Sequence, residues 1–223
     1  MRAMNRLLKY IPRAVRYITV VALLLTLATN AMAQEHNPML REDGTPKVRT
    51  EWGIGIGGSY TLIDHQSDFI TLSPRLGYEG HLHMGILLGN HFAIEGEISY
   101  AGGSIDALHK PLDISRRVRT TTINIPVLLS LRLWDNRLQF DLGPLFTVRS
   151  SAEYTLESNV EFFGSAYPTW NVTAGIGVRL FRNLMLDIHY IYPLATTHND
   201  FVDSKSEFTM HSERVAAGLT LLF

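Results

Sequence analysis

The stretch Trp52-Gly53-Ile54-Gly55-Ile56-Gly57-Gly58-Ser59-Tyr60-Thr61-Leu62 decides the architecture. Trp52, Ile54, Ile56, Tyr60 and Leu62 fall on one face of an extended chain, and Gly53, Gly55, Gly57, Ser59 and Thr61 on the other. Period two is the period of a β-strand. The stretch also contains a GxGxxG pattern, but a dinucleotide site needs a helix opening at its third glycine. Here the alternation runs on through Leu62, so the glycines read as inner-wall space for large side chains opposite.

Similar alternation recurs downstream. It predicts eight strands, near 50–62, 75–87, 91–102, 118–133, 137–149, 167–181, 185–194 and 208–223. The connections alternate in length. Long ones cover about 63–74, 103–117, 150–166 and 195–207, and short ones sit at Leu88-Gly89-Asn90, Asp135-Asn136 and Arg182-Asn183-Leu184. That rhythm, with an even strand number, predicts an all-β, eight-stranded antiparallel up-and-down transmembrane barrel with its long loops outside and tight turns in the periplasm.

Upstream, Arg2, Arg6, Lys9, Arg13 and Arg16 precede an apolar run from Ile18 to Ala28, followed by Ala31-Met32-Ala33. This is the layout of a secretory signal peptide over residues 1–33, and the apolar run is too short for a bilayer-spanning helix. Residues 34–49 read as a polar periplasmic tail and 50–223 as the barrel. The full chain of 223 residues has net charge −1. Without residues 1–33 the balance is 15 − 21 = −6, which gives no basic footprint for nucleic acid. The absence of cysteine excludes disulfide scaffolds and thiolate metal sites. No cofactor is expected.

The apolar face is expected to meet lipid. The other face carries Glu79, Glu95, Glu97, Arg132, Asp141, Arg149, Arg179, Asp187 and Arg214, too many charges for a dry core. Trp52, Phe92, Trp134, Phe181 and Phe223 fall toward the short turns, and Tyr60, Tyr78, Tyr100, Phe146, Trp170 and Tyr192 toward the long loops. Two aromatic girdles are expected at those levels. Turn centres at Gly89 and Asn183 predict His83 opposite Glu95, His81 opposite Glu97, and Arg179 opposite Asp187. The Asp135-Asn136 turn puts Arg132 opposite Gln139 and diagonal to Asp141. Glu79, His81, His83, Glu95, Glu97, Arg132, Asp141, Arg179 and Asp187 are therefore expected to form a charge-paired plug. His81 and His83, which share a face, read as carboxylate-paired rather than as metal ligands. His211-Ser212-Glu213 suggests a lipid hydrolase, but adjacent strand residues point to opposite faces.

The last strand alternates Val215, Ala217, Leu219, Leu221 and Phe223. With the signal peptide and eight strands, this resembles the small outer-membrane barrels of the OmpA/OmpX type. The GxxxGxxxY-like opening strand, Asn124-Ile125-Pro126-Val127-Leu128-Leu129 and Asp141-Leu142-Gly143-Pro144 resemble the PorT-type outer membrane protein beta-barrel domain family. The resemblance implies that the barrel assembly machinery reads Leu219, Leu221 and Phe223, and it points to a secretion-related role. The expected function is a non-enzymatic outer-membrane barrel touching outer-membrane lipid, with loops that contact a surface partner. Arg116, Arg117 and Arg119 are the candidates for lipopolysaccharide phosphate contacts. The alternatives are a narrow porin-like channel, an outer-membrane lipid hydrolase and a soluble lipocalin-like binder.

Overall fold

The computed structural model describes residues 48–65, 67, 69–156, 159–201 and 206–223. The expected signal peptide and most of the expected tail lie outside the described residues. The strands are β1 (Val48–His65), β2 (Ile70–Pro74), β3 (Gly77–Leu88), β4 (Phe92–His109), β5 (Ile114–Leu133), β6 (Leu138–Leu156), β7 (Asn159–Gly164), β8 (Trp170–Phe181), β9 (Leu184–Pro193), β10 (Thr197–Phe201) and β11 (Ser206–Leu222). A short 3-10 turn, Lys110–Leu112, joins β4 to β5.

Eight of these strands form a closed antiparallel ring in the order β1-β3-β4-β5-β6-β8-β9-β11, and β11 returns to β1. They correspond to the eight strands expected from the alternation. Closure pairs Gly53 with Leu222 and Tyr60 with Val215. The outward face is the apolar one: Ile56 is 72 % exposed, Ile188 46 % and Leu129 51 %. Trp52, Trp134, Phe181 and Phe223 are exposed near the short turns, and Tyr60, Tyr78, Tyr100 and Trp170 near the other end. Two pairs of the upper girdle touch: Phe146 meets Trp170 edge-on at 4.6 Å, and Tyr78 meets Tyr100 at 6.4 Å. The inner face is small where it must be. A Cβ on Gly55 would sit 2.1 Å from the His81 ring, and one on Gly175 would sit 2.1 Å from the His189 ring.

The structure changes the expected long loops. β4, β5 and β6 run for 18, 20 and 19 residues. A tilted membrane strand needs only about 9–11. The excess rises beyond the upper girdle as continuous sheet. There β2 takes the place of β3 beside β4, β7 that of β8 beside β6, and β10 that of β9 beside β11. β7 and β10 meet at Gly164 and Asn199. The period persists and the polarity inverts; only β6 changes parity, at a bulge that leaves Asp141 and Thr147 inward below it and Ala152 and Tyr154 inward above it. Ile105, Ala107, Val118, Ala152, Tyr154, Phe163, Phe208 and Met210 form a buried apolar cluster inside the upper barrel. Asp106, Arg117 and Glu153 alternate with these residues. The two halves therefore share one period and exchange faces. An apolar-out pattern finds the lower half alone.

Candidate functional site

The lumen is filled in layers. At the short-turn end, Arg132 Nη2 donates to Glu95 Oε1 at 2.6 Å and to Glu51 Oε1 at 2.9 Å. Arg179 Nη2 donates to the other oxygen of Glu51 at 2.6 Å. Gln139 Nε2 bridges Glu95 and Asp141, at 2.9 Å to each. Ser130 Oγ donates to Asp141 at 2.5 Å. Arg132 and Glu95 are each 1 % exposed, so every member of this knot depends on the others for charge balance.

Above it lies a histidine layer. His83 Nδ1 is 3.4 Å from Glu97 Oε1, and His189 Nε2 is 3.7 Å from Asp141 Oδ2. His81 Nε2 is 2.8 Å from the hydroxyl of Thr220, which donates to Asp187 Oδ2 at 3.2 Å. Next comes an amide and hydroxyl layer. Asn171 Nδ2 donates to Thr147 Oγ1, which in turn donates to Asn124 Oδ1, both at 3.0 Å. Tyr167, in the β7–β8 connection, then reaches across the lumen. Its hydroxyl lies 2.5 Å from Thr61 Oγ1 on β1, and Arg214 lies over its ring at 5.1 Å. The apolar cluster closes the top. The cavities at the hydroxyl and histidine levels are each about 10 Å³, on the order of a single water.

The expected charge network is brought together, with a corrected register. The first turn takes three residues, Gly89-Asn90-His91, and centres on Asn90. That one-residue move shifts each pairing by two. His83 therefore faces Glu97, His81 faces Ser99, and Glu95 faces Gly85. The third turn centres on Arg182, so Asp187 faces Gly177. Arg179 faces Met185 and pairs with Glu51, not Asp187. Arg132 does face Gln139, as expected, but its ion partners are Glu95 and Glu51 rather than Asp141. The sequence reading missed Glu51. It shares parity with Gly53, Gly55 and Gly57, and that parity could have found it. Arg149 leaves the inner set: a β-bulge beside Ile123 and Asn124 turns it outward, and it is exposed. Ser212 points inward, whereas His211 meets Tyr192 edge-on at 5.3 Å, so no His–Ser pair forms.

The three arginines of the second long connection do not form one patch. In a strand they alternate. Val118 is fully buried, Arg116 shares its inward parity, and Arg117 and Arg119 are exposed. Arg117 Nε donates to Asp106 Oδ1 at 3.2 Å, and Arg75 Nε to Asp106 Oδ2 at 2.7 Å. Hydrogen bonding from Arg75, then from Arg117, holds the Asp106 carboxyl below its usual range. Arg119 stands opposite Glu153 on β6. Ile123 pairs with both Tyr100 and Arg149, which puts Arg149 at the level of the girdle. At about 3.3 Å per residue and a tilt near 40°, Arg119 stands roughly 10 Å higher along the axis. Arg75, Arg117, Arg119 and Arg149 thus outnumber Asp106 and Glu153 on one side of the outer wall.

Residues 32–199 match the family model described as outer membrane protein beta-barrel domain. No curated protein matches the chain. Among solved structures, Neisserial surface protein A is 12 % identical over 76 % of this chain and 96 % of its own, with a TM-score of 0.50. OprG from Pseudomonas aeruginosa is 9 % identical over 78 % and 95 %, at 0.47. Ail of Yersinia pestis is 14 % identical over 78 % and 99 %, also at 0.47. At such identities the likeness is one of fold.

Proposed function

This chain belongs to the outer membrane protein beta-barrel domain family and is a protein of the outer membrane, and from that premise we propose that it works as a non-enzymatic barrel with a closed lumen, through its outer extracellular wall. One observation carries this reading: the lumen is occupied at every level, from the Glu51–Arg132–Glu95 knot through Tyr167 to the apolar cluster. A solute path would have to break a buried ion pair at one end and open a packed apolar core at the other. The working surface is then the outer wall. Arg75, Arg117, Arg119 and Arg149 offer bidentate donors just above a lipid-facing band, which suits the phosphates of lipopolysaccharide. The secretion role implied by the PorT-type resemblance would act through the same wall.

Two measurements test the reading. Purified protein in planar bilayers should show no steady conductance, and a sustained open level would favour the channel. Arg117→Gln with Arg119→Gln should lower lipopolysaccharide co-purification while heat-modifiable gel mobility stays unchanged. Equal lipid retention, with faster protease cleavage of the upper strands, would assign these arginines to the Asp106 and Glu153 pairs alone.

A further inference from the structure

Arg214 is 3 % exposed, as buried as the arginine of the basal knot, but it is served differently. Arg132 holds two carboxylates. Arg214 Nη1 reaches the Thr122 hydroxyl at 3.4 Å, its guanidinium lies over the Tyr167 ring, and its Nε has no hydrogen-bond partner. Among the described residues, no carboxylate pairs with it within 4.0 Å. A buried guanidinium without a counter-charge is costly, and one ring face is a weak substitute. The guanidinium lines a cavity of about 10 Å³ together with Ser59, Thr61, Thr120, Thr122 and Tyr167. Ser104 and Arg75 line it too, so six hydroxyl side chains and two cations border the space; Arg75 is half-exposed and tied to Asp106. Glu79, on β3 two strands round the ring from Arg214, lines the next cavity down beside His81 and His189, and its Oε2 has no hydrogen-bond partner.

We propose that this cavity is a binding site for a compact inorganic anion of halide size, held by Arg214 and by hydroxyl donors among Ser59, Thr61, Thr120 and Thr122. The volume suits a single small spherical ion. Hydroxyls rotate to donate to a negative charge, and Arg214 supplies the compensating positive one. Tyr167 roofs the site, its hydroxyl tied to Thr61. An ion bound there would pin the segment that closes the lumen.

The test follows thermal unfolding of the detergent-solubilised protein as sodium bromide replaces sodium gluconate at constant ionic strength. Wild type and the exposed control Arg137→Met should gain stability saturably, and Arg214→Met should not. Bromide-soaked crystals should show an anomalous peak within hydrogen-bond distance of Arg214. If Arg214→Met does not fold, Thr122→Val keeps the cation and should weaken the apparent bromide affinity about tenfold. Equal bromide responses in wild type and Arg214→Met would overturn the proposal. So would a water at the site combined with strong coupling between Arg214→Met and Glu79→Gln, which would make Glu79 the counter-ion through that water.

Discussion

Glu51 shows what one side chain decides in this lumen. Its two oxygens take Arg132 and Arg179, one each, so a single carboxylate joins β1 to β5 and β8 across the barrel floor. The knot is an all-or-none device, because removing one member strands its partners in a dry setting. Arg132→Met should destabilise by about 3–5 kcal/mol, since Glu95 loses its cation. Adding Glu95→Leu should recover part of that loss, and equilibrium unfolding in lipid vesicles measures both. A double-mutant cycle separates the observed register from the one read off the turns. Arg179 and Glu51 should couple, whereas Arg179 and Asp187 should add independently. Strong coupling of the second pair would restore the earlier register. That register slipped for a physical reason. Residue types say which positions face inward, but the turn centre sets which residues meet, and moving it by one residue moves every partner by two.

At the scale of the strand, the lower and upper halves obey opposite rules along a continuous backbone. Ile176 pairs with Ile188 on the lipid face. Ile176→Arg should destabilise by roughly 2–4 kcal/mol if it lies near the bilayer midplane, as read by refolding yield in vesicles. Unimpaired folding would place that face away from lipid. In the upper half the sensitive position is internal. Phe163 is fully buried and packs edge-on against Tyr154 and Phe208, at 6.3 and 5.5 Å. Phe163→Ala should cost about 3–5 kcal/mol of upper-barrel stability. Hydrogen exchange should speed up in β7 and β10 while the lower part of β8 and β9 stays protected. Uniform loosening of all strands would mean that the halves unfold as one unit. The sequence made the lower strands legible because apolar residues and glycines alternate there. It hid β2, β7 and β10 because they span only five, six and five residues and share no pattern: β2 buries Ile70 and Leu72, β7 exposes Val160 and Phe162, and β10 buries Thr197 and Asn199.

For the whole molecule, closure depends on β11, whose partners are β1 and β9, with β10 above. Leu219 and Leu221 are outward and exposed, and Phe223 N donates to Trp52 O at 2.7 Å. Deleting Phe223 should slow outer-membrane assembly and increase degradation, measured as the folded, heat-modifiable fraction over time. Wild-type kinetics would remove the terminal aromatic from the assembly step. Architecture was readable from the sequence because it depends only on period and turn spacing. The knot around Glu51 and the cluster around Tyr167 were not, since both join residues far apart in the chain and depend on which strands end up across the lumen from one another.

The pairing of Gly53 with Leu222 also fixes the order of events in time. These residues are 169 positions apart, close to the full span of the described sheet. Adjacent hairpins can form early, because their loops are short. The ring cannot shut until its first and last strands have both been made and have met, and contacts of such long range are slow to form. Until then the molecule is an open, curved sheet with two unsatisfied edges, β1 and β11, each able to capture a strand from another chain. The dangerous interval in this protein's life is therefore the wait before closure, and a chaperone that shields those two edges would protect it more than any stabilisation of the finished barrel.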